Sequence, residues 1–323
     1  MKAVSTILSF LAGASAWSTN GHLYLANIAQ NRLLENSPSS LAQAEAELKP
    51  LEVFAPDLTT GEANHTFVEA ATFADDVKYH GGAWQSDFHF EQNPFQLKND
   101  TSEWNYSHKT RNSTYGSANL IQWLSLRDDG EEYKESYIYN YIMNLYNQDE
   151  QVARSYALRL LIHYVGDIHQ PFHNEMFYSA EYPDGDKGGN LVPLKSHYGV
   201  DELHALWDQI MYTQRSPMIE RPINDTYWPT FASETATITK DGQPGVQDDY
   251  EYENINVFLW SDESYQIAIT KYEGITPDAA VPQWYLDENL QVCWNRITLG
   301  GYRLAYLMEY IYPPTGTEEL FLQ

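Results

Sequence analysis

The sequence predicts a mainly α fold in a single domain, and three observations lead there. Apolar residues recur at helical intervals along most of the 323-residue chain. Strand-like alternation is scarce, and no internal repeat, coiled coil or low-complexity tract stands out. Length alone allows one large domain or two small ones. With 25 Tyr and 9 Trp, the side chains supply volume for a sizeable core and for aromatic clefts.

Taken in order, the chain opens with Met1–Ala16, which has the parts of a secretory signal peptide. Lys2 gives the positive start, Ala3–Gly13 the short apolar run and Ala14-Ser15-Ala16 the small-residue cleavage site. The functional domain is then expected over residues 17–323. Asn20–Glu35 reads as an amphipathic helix, and Ser39–Leu48 as a second one started by serines after Pro38. Phe67–Val77 is predicted helical and carries Asp75 and Asp76, while His89 falls in an aromatic-rich loop or short extended segment. Asn93–Thr114 is polar and reads as a surface excursion. Tyr115–Leu126 and Tyr133–Tyr146 look helical, as does Ala153–Val165. Phe177–Val200, rich in Gly, Pro and Asp, reads as a loop over the site. Asp201–Asp208 is a further helix and Thr213–Tyr250, weakly periodic and acidic, is expected at the periphery. Ser261–Tyr272 and Asn289–Tyr312 are the last helices, the second apolar enough for the core.

Composition narrows the function. Nineteen Lys and Arg stand against 45 Asp and Glu, a formal charge of −26. This balance argues against a duplex-DNA binder that relies on basic side chains, though not against a nuclease whose positive charge comes from metal ions. Five N-x-S/T sequons, at Asn64, Asn99, Asn105, Asn112 and Asn224, follow the signal peptide. Together they imply a glycoprotein that is secreted or delivered to a lysosomal or vacuolar compartment. The apolar run at the start is too short to span a bilayer and nothing later is long enough, so no membrane anchor is expected. Cys293 is the only cysteine, which rules out an intrachain disulfide.

The chemistry centres on Leu161–His173, LIHYVGDIHQPFH. His163 and Asp167, at i and i+4, share one helix face. Pro171 ends the helix and lets His173 leave that register. One buried histidine is more often a satisfied core residue than a ligand. A second His-x-x-x-Asp pair, His204 and Asp208 in DELHALWD, points instead to a multinuclear metal site. Cleavage after Ala16 would free the α-amine of Trp17, which with its own carbonyl can chelate a metal, and His22 lies five residues on. With Asp75 and His89 the candidate donors are Trp17, His22, Asp75, His89, His163, Asp167, His173, His204 and Asp208. Nine donors suit three metals.

The motifs WSTNGH, FADD, DFHF, LIHYVGDIHQPFH, GGN and LHALWD occur in this order over nearly the whole mature chain. In this the sequence resembles the zinc-dependent type I nucleases, the single-strand-specific nuclease and 3′-nucleotidase family. The resemblance implies a single-domain helical fold of the phospholipase C/nuclease kind, with a cleft holding three Zn²⁺. One zinc would be held by Asp75, His89, His163 and Asp167. A close neighbour would be held by Trp17, His22 and a bridging Asp167, and a third by His173, His204 and Asp208. The close pair would lower the pKa of a bridging water, and the third would bind the leaving 3′ oxygen. The implied substrates are single-stranded DNA and RNA and 3′-nucleotides, with phosphate left on the 5′ side, and the implied state is a monomer.

Departures from the family pattern mark other positions. Lys78 stands where the family commonly has Arg, and with the metal carboxylates Asp75 and Asp167 it forms the implied catalytic set. Phe90 matches a base-stacking aromatic. Glu91 and Gln92 stand where an Asp is usual, so Gln92 becomes the implied base contact. Asn190 of the GGN loop is implied to be a phosphate or supporting contact, and His169 to orient a carboxylate. Two other readings remain. A related zinc phospholipase C would be expected to end the last ligand helix with Glu, so Asp208 favours the nuclease. A non-catalytic secreted zinc glycoprotein is the third.

Overall fold

The computed structural model describes residues 17–97, 104, 106, 110–125, 131–213, 218–243 and 254–314; Met1–Ala16, read above as a signal peptide, lies outside them. Its centre is the helix Glu150–His169, labelled α7 below, in which nearly every side chain from Val152 onward is buried. A helix buried on all faces needs partners all round. They are α1 (Thr19–Asn36), α2 (Pro38–Phe54), α5 (Ser113–Ser125), α6 (Tyr137–Leu145), α10 (Val257–Ala268) and α11 (Gln283–Ile311). Asp149 caps α7 at the Val152 amide, and Gln170 and Pro171 end it.

The buried arginines of this bundle are paired with carboxylates. Arg159 is wholly buried, and its guanidinium donates to both carboxylate oxygens of Glu62 and to the Leu48 carbonyl. Glu263 receives Arg303 through both nitrogens, at 2.7 and 2.8 Å, and Arg296 at 3.0 Å. Here burial acts to raise the Glu263 carboxyl, but Arg303 and Arg296 win and hold it below its ordinary value.

The upstream candidate donors sit on short pieces: α3 (Thr66–Glu69), a 3₁₀ turn at Ala70–Thr72, α4 (Phe73–Val77) and a 3₁₀ run Gly82–His89. His89 thus closes a helical turn and is not in a loop or extended segment. Beyond it, β1 (Asn93–Phe95) pairs in parallel with β2 (Glu175–Phe177), joining the chain after His89 to the chain after His173. The expected loop 177–200 contains β3 (Pro193–His197), which pairs antiparallel with β4 (Val200–Glu202). This hairpin leads into α8 (Leu203–Asp208), whose first turn Glu202 caps at the Ala205 amide.

Two other expectations need correction. The supposedly peripheral 213–250 stretch includes α9 (Trp228–Gly242), whose Phe231, Thr235 and Ile238 are buried where it packs on α1 and α11. The excursion 93–114 turns inward at its end. Asn112, Ser113 and Thr114 are buried, and the Asn112 amide donates to Glu91 Oε1 at 2.8 Å. The Asn112 sequon is thus buried, with its side-chain nitrogen already bonded in the core. Asn64 and Asn224 are exposed, while Asn99 and Asn105 lie outside the described residues. No helix among the described residues is long and apolar enough to cross a membrane.

Candidate metal centre

Three groups of donors converge: His22, His163 and Asp167; Asp75, His89 and His163; and His173, His204 and Asp208. The first two share His163 and form one continuous cluster. α7 presents His163 and Asp167 one turn apart, and α1 lays the His22 ring on that of His163, with centroids 3.9 Å apart. This close approach depends on Gly166, because a Cβ there would lie 2.5 Å from His22 Nδ1. α4 brings Asp75 Oδ1 to 3.7 Å from His163 Nε2 and 3.8 Å from His89 Nδ1. Trp17, fully buried, begins the described chain and packs against Gly21, the residue before His22, and the Ser18 amide donates to the Asp208 carbonyl at 2.9 Å.

The ring orientations are set by hydrogen bonds made on the side away from each cluster. His163 Nδ1–H donates to the Ala71 carbonyl (2.6 Å), His173 Nδ1–H to the His89 carbonyl (2.7 Å) and His204 Nδ1–H to the Gly188 carbonyl (2.6 Å). For His89 the roles reverse. Its Nε2–H donates to Gln85 Oε1 (2.8 Å), leaving Nδ1 inward. A neutral imidazole carries one N–H, so the inward nitrogens are all bare lone pairs. They face one another: His89 Nδ1 and His163 Nε2 lie 3.2 Å apart, and His173 Nε2 and His204 Nε2 3.0 Å. His89 Nδ1 is also 2.8 Å from Asp167 Oδ2.

Burial makes this arrangement costly without a cation. Both Asp167 oxygens and both His22 nitrogens are buried without a hydrogen-bond partner, and unsatisfied buried polar atoms are rare in native proteins. Burial holds His22, His89 and His173 well below the ordinary imidazole range, and pushes His204 down to about 4. Burial, then the neighbouring Asp75, raises Asp167 well above the carboxylate range. Asp75 goes the other way. Burial opposes its charge, yet Lys78 and the three histidines hold it well below the usual value. Neutral imidazoles and carboxylates with opposed lone pairs form a donor set that fits metal ions.

A sequence profile described as S1/P1 Nuclease matches residues 17–313. The chain belongs to the S1/P1 nuclease family. It is 25% identical to Endonuclease 2 of Arabidopsis thaliana over 316 residues, covering 92% of this chain and 90% of that protein. Endonuclease 1 of the same plant is 24% identical over 95% of this chain and 90% of its own length, and Endonuclease 3 is 23% identical over 96% and 93%. As a member of the S1/P1 family this chain is a nuclease, a hydrolase of phosphodiester bonds in nucleic acid, and three His/Asp clusters can hold its metal ions.

Other positions singled out in the sequence lie around the centre in different ways. Lys78 reaches back to Asp75, with Nζ 2.8 Å from Oδ1. Phe90, half-buried, stacks on the His173 ring at 4.5 Å and 11°. Gln92 has a positive φ of 58°, a conformation that non-glycine residues seldom adopt and that clusters at functional sites. The Asn190 side chain donates to the Lys187 carbonyl, closing its own turn. His169 does not orient a ligand carboxylate. Its Nδ1–H donates to Val165 and its Nε2 accepts from Arg303 at 3.1 Å.

Two supporting glutamines were missed by the sequence reading. Gln85 Oε1 accepts from His89 Nε2–H and from the Tyr164 hydroxyl (2.6 Å), while its amide donates to the Ala74 carbonyl at 2.7 Å. Gln170 donates to Asp208 Oδ1 at 2.6 Å and accepts from the Phe172 amide. Their spacing from the ligands, four before His89 and three before His173, was the available signal.

Proposed function

We propose that this chain is a secreted zinc endonuclease that hydrolyses single-stranded DNA and RNA to 5′-phosphorylated products and removes 3′-phosphate from nucleotides. The convergence of bare imidazole nitrogens and carboxylates in three groups, with both oxygens of the buried Asp167 lacking a hydrogen-bond donor, supports it most. Bound by these groups, zinc ions would neutralise phosphate charge and activate water as Lewis acids. Asp75, His89, His163 and Asp167 would hold one ion; Trp17, His22 and Asp167 its neighbour; and His173, His204 and Asp208 the third. Cleavage after Ala16 would complete the second set by freeing the Trp17 amine.

The chain's own groups supply the rest. Lys78 places a cation at the edge of the first cluster, where charge develops on the phosphate in the transition state. Phe90 offers a ring face to a base beside the third cluster, with Gln92 next to it as a neutral donor and acceptor. Stacking of this kind is worth roughly 1–3 kcal/mol per base and tolerates any sequence. A flat base can lie on Phe90 only when unpaired, which favours single strands.

The test is hydrolysis of single-stranded DNA, single-stranded RNA, duplex DNA and phosphatidylcholine by the chain starting at Trp17, with and without chelator. Chelator-sensitive cleavage of the single strands to 5′-phosphorylated ends is expected. Release of phosphocholine with nucleic acid untouched would transfer the assignment to a phospholipase C. Bound zinc with neither activity would leave a structural zinc glycoprotein.

A further inference from the structure

Residues 219–223 form neither helix nor strand, yet they are tied to the donor-bearing elements at three points. The Ile219 amide donates to Asn20 Oδ1 of α1 at 2.9 Å. The Arg221 guanidinium grips Asp76 of α4 as a fork, Nη1 to Oδ2 at 2.6 Å and Nη2 to Oδ1 at 2.9 Å, and Nη1 also donates to the Thr72 hydroxyl. The Ile223 amide donates to Glu69 Oε1 of α3. We propose that this strap positions the donors of the cluster around His163, and that Arg221 is its positioning residue, acting through Asp76 on Asp75. The inference rests on the metal-centre reading and extends it to residues outside the donor set.

Each tether lands beside a donor. Asn20 lies two residues before His22 in the first turn of α1. Glu69 and Thr72 flank the 70–71 stretch, where the Ala71 carbonyl fixes the His163 ring at 2.6 Å. Asp76 follows Asp75 directly, and neighbouring helix positions point about 100° apart, so Asp75 faces the cluster while Asp76 faces the strap. Ile219 and Ile223 are buried, which seats both ends of the strap in the core. Glu69, wholly buried, accepts the Ala63 amide on its second oxygen at 2.8 Å, so α3 is held from two sides.

Local structure alone does not set these directions. α3 has four residues and α4 five, little more than one turn each, and helices this short are not stable by themselves. Their orientation comes from what they are tied to. A bidentate guanidinium–carboxylate contact fixes angle as well as distance. Gly61 leaves room for it, because a Cβ there would lie 2.8 Å from Arg221 Nη1. The pair is partly open to water, with side-chain exposures of 18% for Arg221 and 40% for Asp76. An ion pair so exposed adds little to overall stability. Its effect lies in where it holds α4.

The experiment titrates zinc against a competing chelator on the chain beginning at Trp17, for wild type, Arg221→Gln, Arg221→Lys, Asp76→Asn and the double variant of Arg221→Gln with Asp76→Asn. Urea midpoints of the metal-free forms are followed beside it. Arg221→Gln should weaken binding of the ions of the His163 cluster about 10-fold, the lower end for loss of an orienting partner, with little change in urea midpoint. Arg221→Lys keeps the charge but not the fork, and should recover part of the loss. Asp76→Asn should match Arg221→Gln, and the double variant should be no worse than either alone. The gap to wild type should narrow at about 1 M salt, which screens an exposed pair. On a single-stranded substrate, kcat at limiting zinc should fall and return with excess zinc, with KM unchanged. Zinc affinity at the wild-type value in both single variants, or losses that add in the double variant, would overturn the strap's role. If Arg221→Gln fails to fold, Asp76→Asn, which keeps the side chain's shape beside Thr72, decides alone. Wild type that takes up no zinc would instead refute the metal centre itself, and the strap's role with it.

Discussion

Gln85 offers a sharp probe of the metal centre, because it touches no expected metal position yet fixes one ligand ring. Substituting Gln85→Leu preserves approximate volume and deletes three buried hydrogen bonds: to His89 Nε2, the Tyr164 hydroxyl and the Ala74 carbonyl. Tyr164 and His89 are wholly buried, so no water replaces the lost partner. Each buried group left unsatisfied costs about 1–3 kcal/mol, so the metal-free chain should lose about 3–5 kcal/mol once the cavity relaxes. The effect on metal has a separate origin. Without the Gln85 acceptor, nothing holds the proton on His89 Nε2, and the tautomer with a bare Nδ1 is no longer enforced. Loss of such an orienting partner typically costs 10- to 100-fold in metal affinity. The assay is a competitive-chelator titration of zinc beside a urea melt of the metal-free form. Gln85→Glu is the control. It keeps an acceptor for both His89 and Tyr164, and should bind zinc far better than Gln85→Leu. If Gln85→Leu lowers stability but leaves zinc affinity at the wild-type value, the argument that this hydrogen bond sets the ligand nitrogen is wrong.

Three further outcomes are expected. Gly166→Ala places a methyl 2.5 Å from His22 Nδ1, so it should displace α1 from α7 and reduce bound metal per chain by at least one ion, read by elemental analysis. Lys78→Met should leave metal content intact but lower kcat about 100-fold, the usual effect of removing one charge-stabilising group from a transition state; unchanged kcat would relegate Lys78 to holding Asp75. Glu263 is held below its ordinary pKa once Arg303 and Arg296 outweigh its burial. Its ion pairs therefore add stability above about pH 4.5 that is lost as pH falls through the lower folded value. Glu263→Gln should cost about 1–3 kcal/mol at pH 7, and the gap to wild type in urea midpoint should close toward pH 3; a gap that widens on acidification would contradict this.

The pairing of the candidate donors was legible in the sequence because the physics that places them is local. His163 and Asp167, like His204 and Asp208, are one helical turn apart, and that spacing survives any tertiary context. The shell behind them was not legible. His163, His173 and His204 are oriented by the carbonyls of Ala71, His89 and Gly188, and a backbone carbonyl leaves no mark on residue identity. The same holds for β1 and β2, three residues each, which exist because the folded chain brings the segments after His89 and His173 together. α9 escaped notice because its buried face includes Thr235 between Phe231 and Ile238, which weakens the apolar period. The Asn112 sequon reports only the local triplet, whereas its burial against Glu91 is a property of the whole fold.

The most direct measurement is metal content per chain by elemental analysis of the form beginning at Trp17, taken during stepwise chelation while single-strand cleavage is followed on the same samples. Close to three zinc ions per chain, with cleavage falling as they leave and returning as zinc is restored, is the expected result. Full cleavage by chains holding less than one metal ion would contradict the reading of the three histidine and aspartate clusters as the catalytic centre.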